Sequence, residues 1–208
     1  MIYFLIKQEN RKNMELTQAL DIFYSFYPDK RDPLTQDLFL HSCQVQQKAL
    51  EILKTLPAEE QKDIDIKIVE SGALLHDTGV KMCHAPDIHC HGKEHYMRHG
   101  LLGAEMLREY GKKHGLDLEK YALICERHTG SGLTSSEIQE QNLPLPHKDL
   151  LPETKEEKLI CLADKFFSKS GSMSEKSMEK VYKSMAKHGD GPLQRFIELC
   201  RLFHIETL

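Results

Sequence analysis

No stretch of the 208-residue sequence stays apolar for the roughly 20 residues that a membrane-spanning helix needs. The opening Met1-Ile2-Tyr3-Phe4-Leu5-Ile6 is apolar but too short for a span or for the h-region of a signal. Polar residues follow, so residues 1–13 read as a disordered extension and the ordered chain is expected to begin at Met14. Basic residues are not in excess: 28 Lys and Arg stand against 32 Asp and Glu, for a net charge of -4. A general nucleic-acid binder or membrane-surface protein would usually be basic. Small anionic substrates remain open, because a local site can be cationic inside an acidic protein. Alternating apolar and polar runs, the mark of half-buried strands, are scarce, and no internal repeat or low-complexity segment is visible. The expected fold class is therefore all-α, with residues 14–208 forming a single domain, a size that buries a real core.

What is present is ordinary in bulk and unusual in detail. Hydrophobic residues make up 40% and charged residues 29%, as in a globular chain. The six cysteines, Cys43, Cys83, Cys90, Cys125, Cys161 and Cys200, come without a secretory signal and mostly in apolar helical stretches. They read as reduced, mostly buried thiols of a cytoplasmic protein. Twelve histidines are many for this length, and His84, His89, His91, His95 and His99 crowd one stretch. That supply of imidazole raises the expectation of a metal.

Apolar residues at helical spacing predict helices over 14–27, 33–55, 63–75, 94–110, 118–127, 154–167, 175–187 and 192–203. Asp32-Pro33 reads as an N-cap followed by proline at the first helical position. Thr154 with Glu157 has the pattern of a capping box, and Gly111 is placed as a residue ending its helix. Residues 81–95 lack periodicity and read as a long His-rich loop lining a site. Residues 130–134 read as a flexible loop with two readings, anion binding or plain connection. Gly100 and Gly103 allow close approach of either a neighbouring backbone or a ligand.

The chemistry collects around Leu74-Leu75-His76-Asp77-Thr78-Gly79. A neutral imidazole is a good ligand for Zn, Fe or Ni, and a carboxylate suits harder cations and can bridge two ions. Upstream, His41 sits at helical spacing from Leu38 and Val45 and so faces inward. Downstream come His99, then His128 before Thr129-Gly130, then Asp164 in Leu162-Ala163-Asp164-Lys165. Asp164 lies among apolar residues, and a buried carboxylate is costly without a cation or hydrogen-bond partners.

This ordered set, His, His-Asp, His, His, Asp, resembles the HD-domain metal-dependent phosphohydrolase superfamily, in particular its small bacterial two-metal hydrolases, over about residues 37–169. The chain departs in one place: many members read His-Asp-x-Gly-Lys, whereas here Val80 follows Gly79 and the lysine is Lys81. The resemblance implies a helical bundle in which His41, His76, Asp77 and Asp164 hold one metal. His99 and His128 add a second, and Asp77 bridges. It implies one or two divalent ions (Fe, Mn, Zn, Ni or Mg) and hydrolysis of a phosphate ester or anhydride of a nucleotide or related small molecule. His76 and Asp77 would belong to the catalytic centre. Lys81, Arg98, Arg127 and Lys165 each adjoin an expected ligand in sequence and are candidates for phosphate contact. Glu126 is a candidate for orienting a ligand or water. A homodimer is a further expectation, and the helices over 175–204 offer packing or oligomer surface. Two other readings compete: a di-iron oxygenase with the same ligands, and a non-catalytic metal- or ligand-sensing module. A variant of the latter makes Cys83-His84 and Cys90-His91 a structural zinc site, although Cys83 and Cys90 are expected not to be ligands.

Overall fold

Asp32 and Pro33 open the longest helix as the sequence predicts: the Asp32 carboxylate accepts from the Thr35 amide at 3.0 Å, and Pro33 occupies the first turn. The structure, a computed structural model, describes residues 14–206. The expected disordered extension over residues 1–13 lies outside them.

Ten α-helices are found among the described residues. They are α1 (Leu16–Phe26), α2 (Pro33–Thr55), α3 (Ala58–Gln61), α4 (Ile66–Leu75), α5 (His99–His114), α6 (Glu119–Arg127), α7 (Ser135–Glu140), α8 (Lys155–Asp164), α9 (Met178–Ala186) and α10 (Asp190–Leu202). The fold is all-α. The centre of the bundle is α4, which packs on α1, α2, α6 and α8. Its Val69, Ala73, Leu74 and Leu75 are buried, and so is the α2 stripe of Leu38, Val45, Ala49, Ile52 and Leu53 that faces it. Each large aliphatic buried this way stabilises the fold by about 1.5–3 kcal/mol. At the far end α10 returns onto α8 and adds Phe196, Leu199 and Cys200 to the same core.

Three local expectations are corrected, and at residues 130–134 one of the two open readings holds. Residues 81–95 are not a plain loop. A 3-10 turn (Thr78–Met82) leads into a two-residue antiparallel pair, His84–Ala85 with Cys90–His91, joined through a 3-10 turn (Pro86–Ile88). Strands this short show no period in sequence. The next helix starts later and ends later than predicted, because Tyr96–Arg98 is 3-10 and the left-handed terminating residue is Gly115, φ 68°, rather than Gly111. Gly111 instead lies inside α5, where a Cβ would meet the Leu116 carbonyl at 2.6 Å. Residues 130–134 are a tight connector whose polar groups bond within the fold. Gly132 N donates to Thr129 O, Ser131 Oγ to Pro192 O, and Leu133 pairs with Leu150. Finally, Thr134 and Glu137 form a complete capping box that starts α7. At Thr154 only half of a box forms, because Glu157 turns away to accept from the Glu153 amide and Arg127.

Gly79 and Gly103 decide how α5 lies on the His-Asp turn. A Cβ on Gly79 would sit 2.1 Å from the His99 carbonyl and 2.2 Å from the Gly103 amide. No side chain fits between them. Close backbone packing is thus the reason for glycine here, and it brings the start of α5 against Asp77.

Candidate metal centre

All six expected ligands converge on one buried point, and five of them sit at or beside the end of a short element. His76 caps the C-terminal end of α4, Asp77 begins the 3-10 turn, His99 is the first residue of α5, His128 follows α6, and Asp164 is the last residue of α8. His41 alone comes from mid-helix, on the buried face of α2. None of the six is more than 8% exposed.

Asp77 divides the group. Its Oδ2 lies 3.3 Å from His41 Nε2 and 3.2 Å from His76 Nε2, and Asp164 Oδ1 is 3.0 Å and 3.6 Å from the same two nitrogens. Its Oδ1 faces the other way, 3.5 Å from His99 Nε2 and 3.3 Å from His128 Nε2. The carboxylate thus stands between a His-His-Asp set and a His-His set, as a bridging ligand would.

The tautomers are set by the backbone. His76 Nδ1 is 2.7 Å from Ala73 O, His99 Nδ1 2.7 Å from Tyr96 O, and His128 Nδ1 2.7 Å from Cys125 O. A carbonyl only accepts, so each Nδ1 carries a proton and each Nε2 is the nitrogen turned to the centre. His99 Nε2 and His128 Nε2 then face each other at 3.0 Å. Two lone pairs at that distance repel, whereas two imidazoles on one ion, with metal–nitrogen bonds of about 2.0–2.1 Å, stand about 3 Å apart. Both nitrogens of His41, His76 Nε2 and Asp77 Oδ1 are likewise buried without a hydrogen-bond partner. The short His–Asp contacts are misaligned as hydrogen bonds, which fits atoms aimed at a shared cation. The donor set therefore suits a divalent metal.

Burial and neighbours pull the ionisable groups apart. Burial works to keep His76 neutral, but Asp77 and Asp164 outweigh it and lift its pKa to about 9. Burial and the facing His128 push His99 down to about 3. Burial works against ionised Asp77 and Asp164, yet His76 and Lys169 hold Asp77, and Lys165 and Lys169 hold Asp164, well below the carboxylate range. Two lysines flank the centre: Lys169 Nζ is 2.8 Å from Asp77 Oδ2, and Lys165 Nζ is 2.8 Å from Asp164 Oδ2.

The charged candidates fall on both sides. Lys165 reaches the centre. Lys81 does not; its Nζ donates to the Phe26 carbonyl and lies over the Tyr27 ring. Arg98 is spent on Glu94 one turn back, and Arg127 on Glu153 and Glu157. Glu126 points to the opposite face of α6, where Arg108 and Lys148 hold it. In each case chain adjacency to a ligand did not give proximity, because neighbours on a helix point about 100° apart. Lys169 and Tyr96 were missed. Tyr96 stacks on His99 with ring centres 4.8 Å apart. No helical spacing signalled Lys169, because α8 ends at Asp164 and Lys169 lies in the irregular segment beyond it. Cys83, His84, Cys90 and His91 join none of the metal-capable groups among the described residues. Cys90 Sγ lies 2.8 Å from Val80 O and 2.9 Å from Cys83 O, and His84 and His91 point to solvent. No helix among the described residues is long and apolar enough to cross a membrane.

The chain matches the HD domain family over residues 38–168. An uncharacterized protein of Methanocaldococcus jannaschii is 35% identical over 151 residues, 73% of this chain and 74% of that one. Two proteins named tRNA (cytidine(56)-2'-O)-methyltransferase are also similar. The one from Picrophilus torridus is 36% identical over 60% of this chain, and the one from Thermoplasma volcanium 32% over 72%. The similarity spans only 31% and 36% of those two longer chains. No solved structure matches. With the matched residues covering all six ligands of the buried centre, the chain belongs to the HD-domain family, most of whose members are metal-dependent hydrolases.

Proposed function

We propose that the protein is a metal-dependent phosphohydrolase acting on a nucleotide or a related small phosphate. The observation that carries this reading is the split of Asp77, with one oxygen toward His41 and His76 and the other toward His99 and His128. A pair of divalent ions there would supply Lewis acidity and an acidified water, and would offset the charge that builds on a phosphoryl group. The chain's own residues supply the rest. His76, His99 and His128 are locked in the metal-ready tautomer by their backbone partners. Lys165 and Lys169 add fixed positive charge at the side of the centre, which favours a phosphoryl group over a neutral one. The methyl transfer named for two relatives belongs to chains about three times the length of the shared region. The same ligands also accommodate iron, so an oxygenase is the competing reading.

The test is metal content of the purified protein together with a hydrolysis screen over nucleotides, dinucleoside polyphosphates, cyclic dinucleotides and tRNA, with oxygen uptake followed in parallel. Release of phosphate that depends on added Mn, Fe or Zn is expected. Oxygen uptake with no hydrolysis would replace this reading by the oxygenase.

A further inference from the structure

A cavity of about 370 Å³ opens beside the centre, lined by Ala85, Asp87, Ile88, Tyr96, Ser168 and Lys169, with Ser170 at its rim. Two of its walls touch the proposed ligands directly. Lys169 lines the cavity and holds its ammonium 2.8 Å from Asp77 Oδ2. Tyr96 lines the cavity and stacks on His99. A second cavity, about 330 Å³ beside Arg195 and Leu202, shares no residue with the centre. The first meets the centre through Lys169 and Tyr96.

The geometry points to this cavity as the substrate's pocket, with Lys169 binding the phosphate of a monoester and the space beyond taking a neutral, hydroxylated body of nucleoside size. The inference rests on the phosphohydrolase reading and narrows it. Lys169 is deep, with its side chain 13% exposed, and an ammonium buried beside a bridging carboxylate is well placed for the oxyanion to be cleaved. Asp87 is exposed at the mouth. Its carboxylate would repel the further phosphates of a di- or triphosphate and accept from a sugar hydroxyl or a base amino group. Its volume lies within the range of ligand pockets, which suits a body of nucleoside size. Apolar Ala85 and Ile88 and the Tyr96 ring give the body a wall, and Ser168 offers a hydroxyl.

The test uses the metal-loaded protein and two probes, the non-hydrolysable methylene phosphonate analogue of AMP, read by calorimetry, and AMP, ADP and ATP, read by phosphate release. Lys169→Met is expected to weaken analogue binding about tenfold or more while metal per chain stays at the wild-type value, as loss of one charged hydrogen bond implies. Ser170→Tyr, at the exposed rim, fills the pocket without touching the centre and is expected to weaken binding about tenfold as well. Asp87→Asn, which keeps an acceptor oxygen but loses the charge, is expected to narrow the preference for AMP over ATP by about threefold, the scale of one exposed charge. Analogue binding unaltered in both Lys169→Met and Ser170→Tyr would overturn the pocket even if hydrolysis is found, as would no binding by the wild type. Faster cleavage of ATP than of AMP would overturn the monoester assignment. Lys169-dependent binding without turnover of any ester would keep the pocket and reject the hydrolase.

Discussion

The molecule buries two sets of ionisable side chains, and they differ in whether their valences close. On one face of α6, Glu126 is 6% exposed and fully partnered. Arg108 donates to it at 2.8 Å, Lys148 pairs with its other oxygen, and Arg108 also reaches Glu119. On the other side of the bundle, Asp77 and four imidazoles are just as buried, yet Asp77 Oδ1, His76 Nε2 and both nitrogens of His41 lack hydrogen bonds. A buried acid with salt-bridge partners of its own holds helices together. A buried acid with one oxygen held by Lys169 and the other, Oδ1, meeting only imidazole nitrogens suits a cation on that second side. Burial alone does not separate the two, and both acids have depressed pKa values. The partner list separates them.

The strongest challenge to this contrast is Asp77→Asn. It removes the bridging charge from both halves, so metal content is expected to fall to near zero and hydrolysis by about a thousandfold or more, the several kcal/mol a metal contributes. Far-ultraviolet dichroism should be unchanged. Elemental analysis beside an activity assay decides, and full metal in the variant would place the site elsewhere.

Next in size are His99→Ala and His128→Ala. Each faces only Asp77 Oδ1 among the carboxylate oxygens bounding the centre at 3.5 Å or less, so each is expected to lose one ion of two and roughly a hundredfold of rate. A wild-type ratio that stays at one ion per chain under added Mn, Fe or Zn, with both variants unaltered, would make the protein a single-metal HD protein.

On the structural side, Glu126→Gln should leave metal and activity unchanged and cost about 1 kcal/mol, or about 2–4 °C in Tm, reduced because Arg108 and Lys148 are themselves partly exposed. Burial works against the Glu126 carboxylate, but Lys148 and Arg108 prevail and hold its pKa below the ordinary 4.5. A depressed carboxyl contributes stability above its unfolded pKa and loses it as pH falls through the folded value. The difference between wild type and variant should therefore be full near neutral pH and close below about pH 4. Thermal melts across that range test it, and a difference that grows on acidification would contradict the assignment.

The smallest effects are expected at Lys81 and Arg98. Changing either to Met leaves metal stoichiometry intact and alters stability by about 0.5 kcal/mol or less, since each serves a surface or carbonyl contact. Loss of activity in Lys81→Met above tenfold would show that its amine leaves Phe26 and reaches substrate.

Helix positions were legible because burial leaves a period. The stripe from Leu38 to Leu53 and the cap at Asp32 need only local chemistry, and the structure carries both. The capping box at Thr134 was legible in principle but sits before a helix of six residues, too short for an apolar period. The His84–His91 hairpin had no signal at all, because it is held by long-range bonds such as His84 N to Glu94 O. Gly100 and Gly103 left packing and ligand approach undivided. The distances of Gly103 to Gly79 and of Gly100 to the Cys125 carbonyl show packing.

The amino-acid order by itself determined which donors exist and in what sequence they occur, since imidazole and carboxylate chemistry is intrinsic to the residue, and it determined the longer helices, since their periods are local; Ala58–Gln61 and Ser135–Glu140 were too short to show one. Only the tertiary structure decided that Lys169 rather than Lys81 faces Asp77, that Glu126 serves Arg108 rather than the centre, and that the two oxygens of Asp77 look at different histidines. The physical reason is that a side chain's direction is set by the packing of its element against several others. That arrangement depends on contacts far apart in the chain, which no local pattern records.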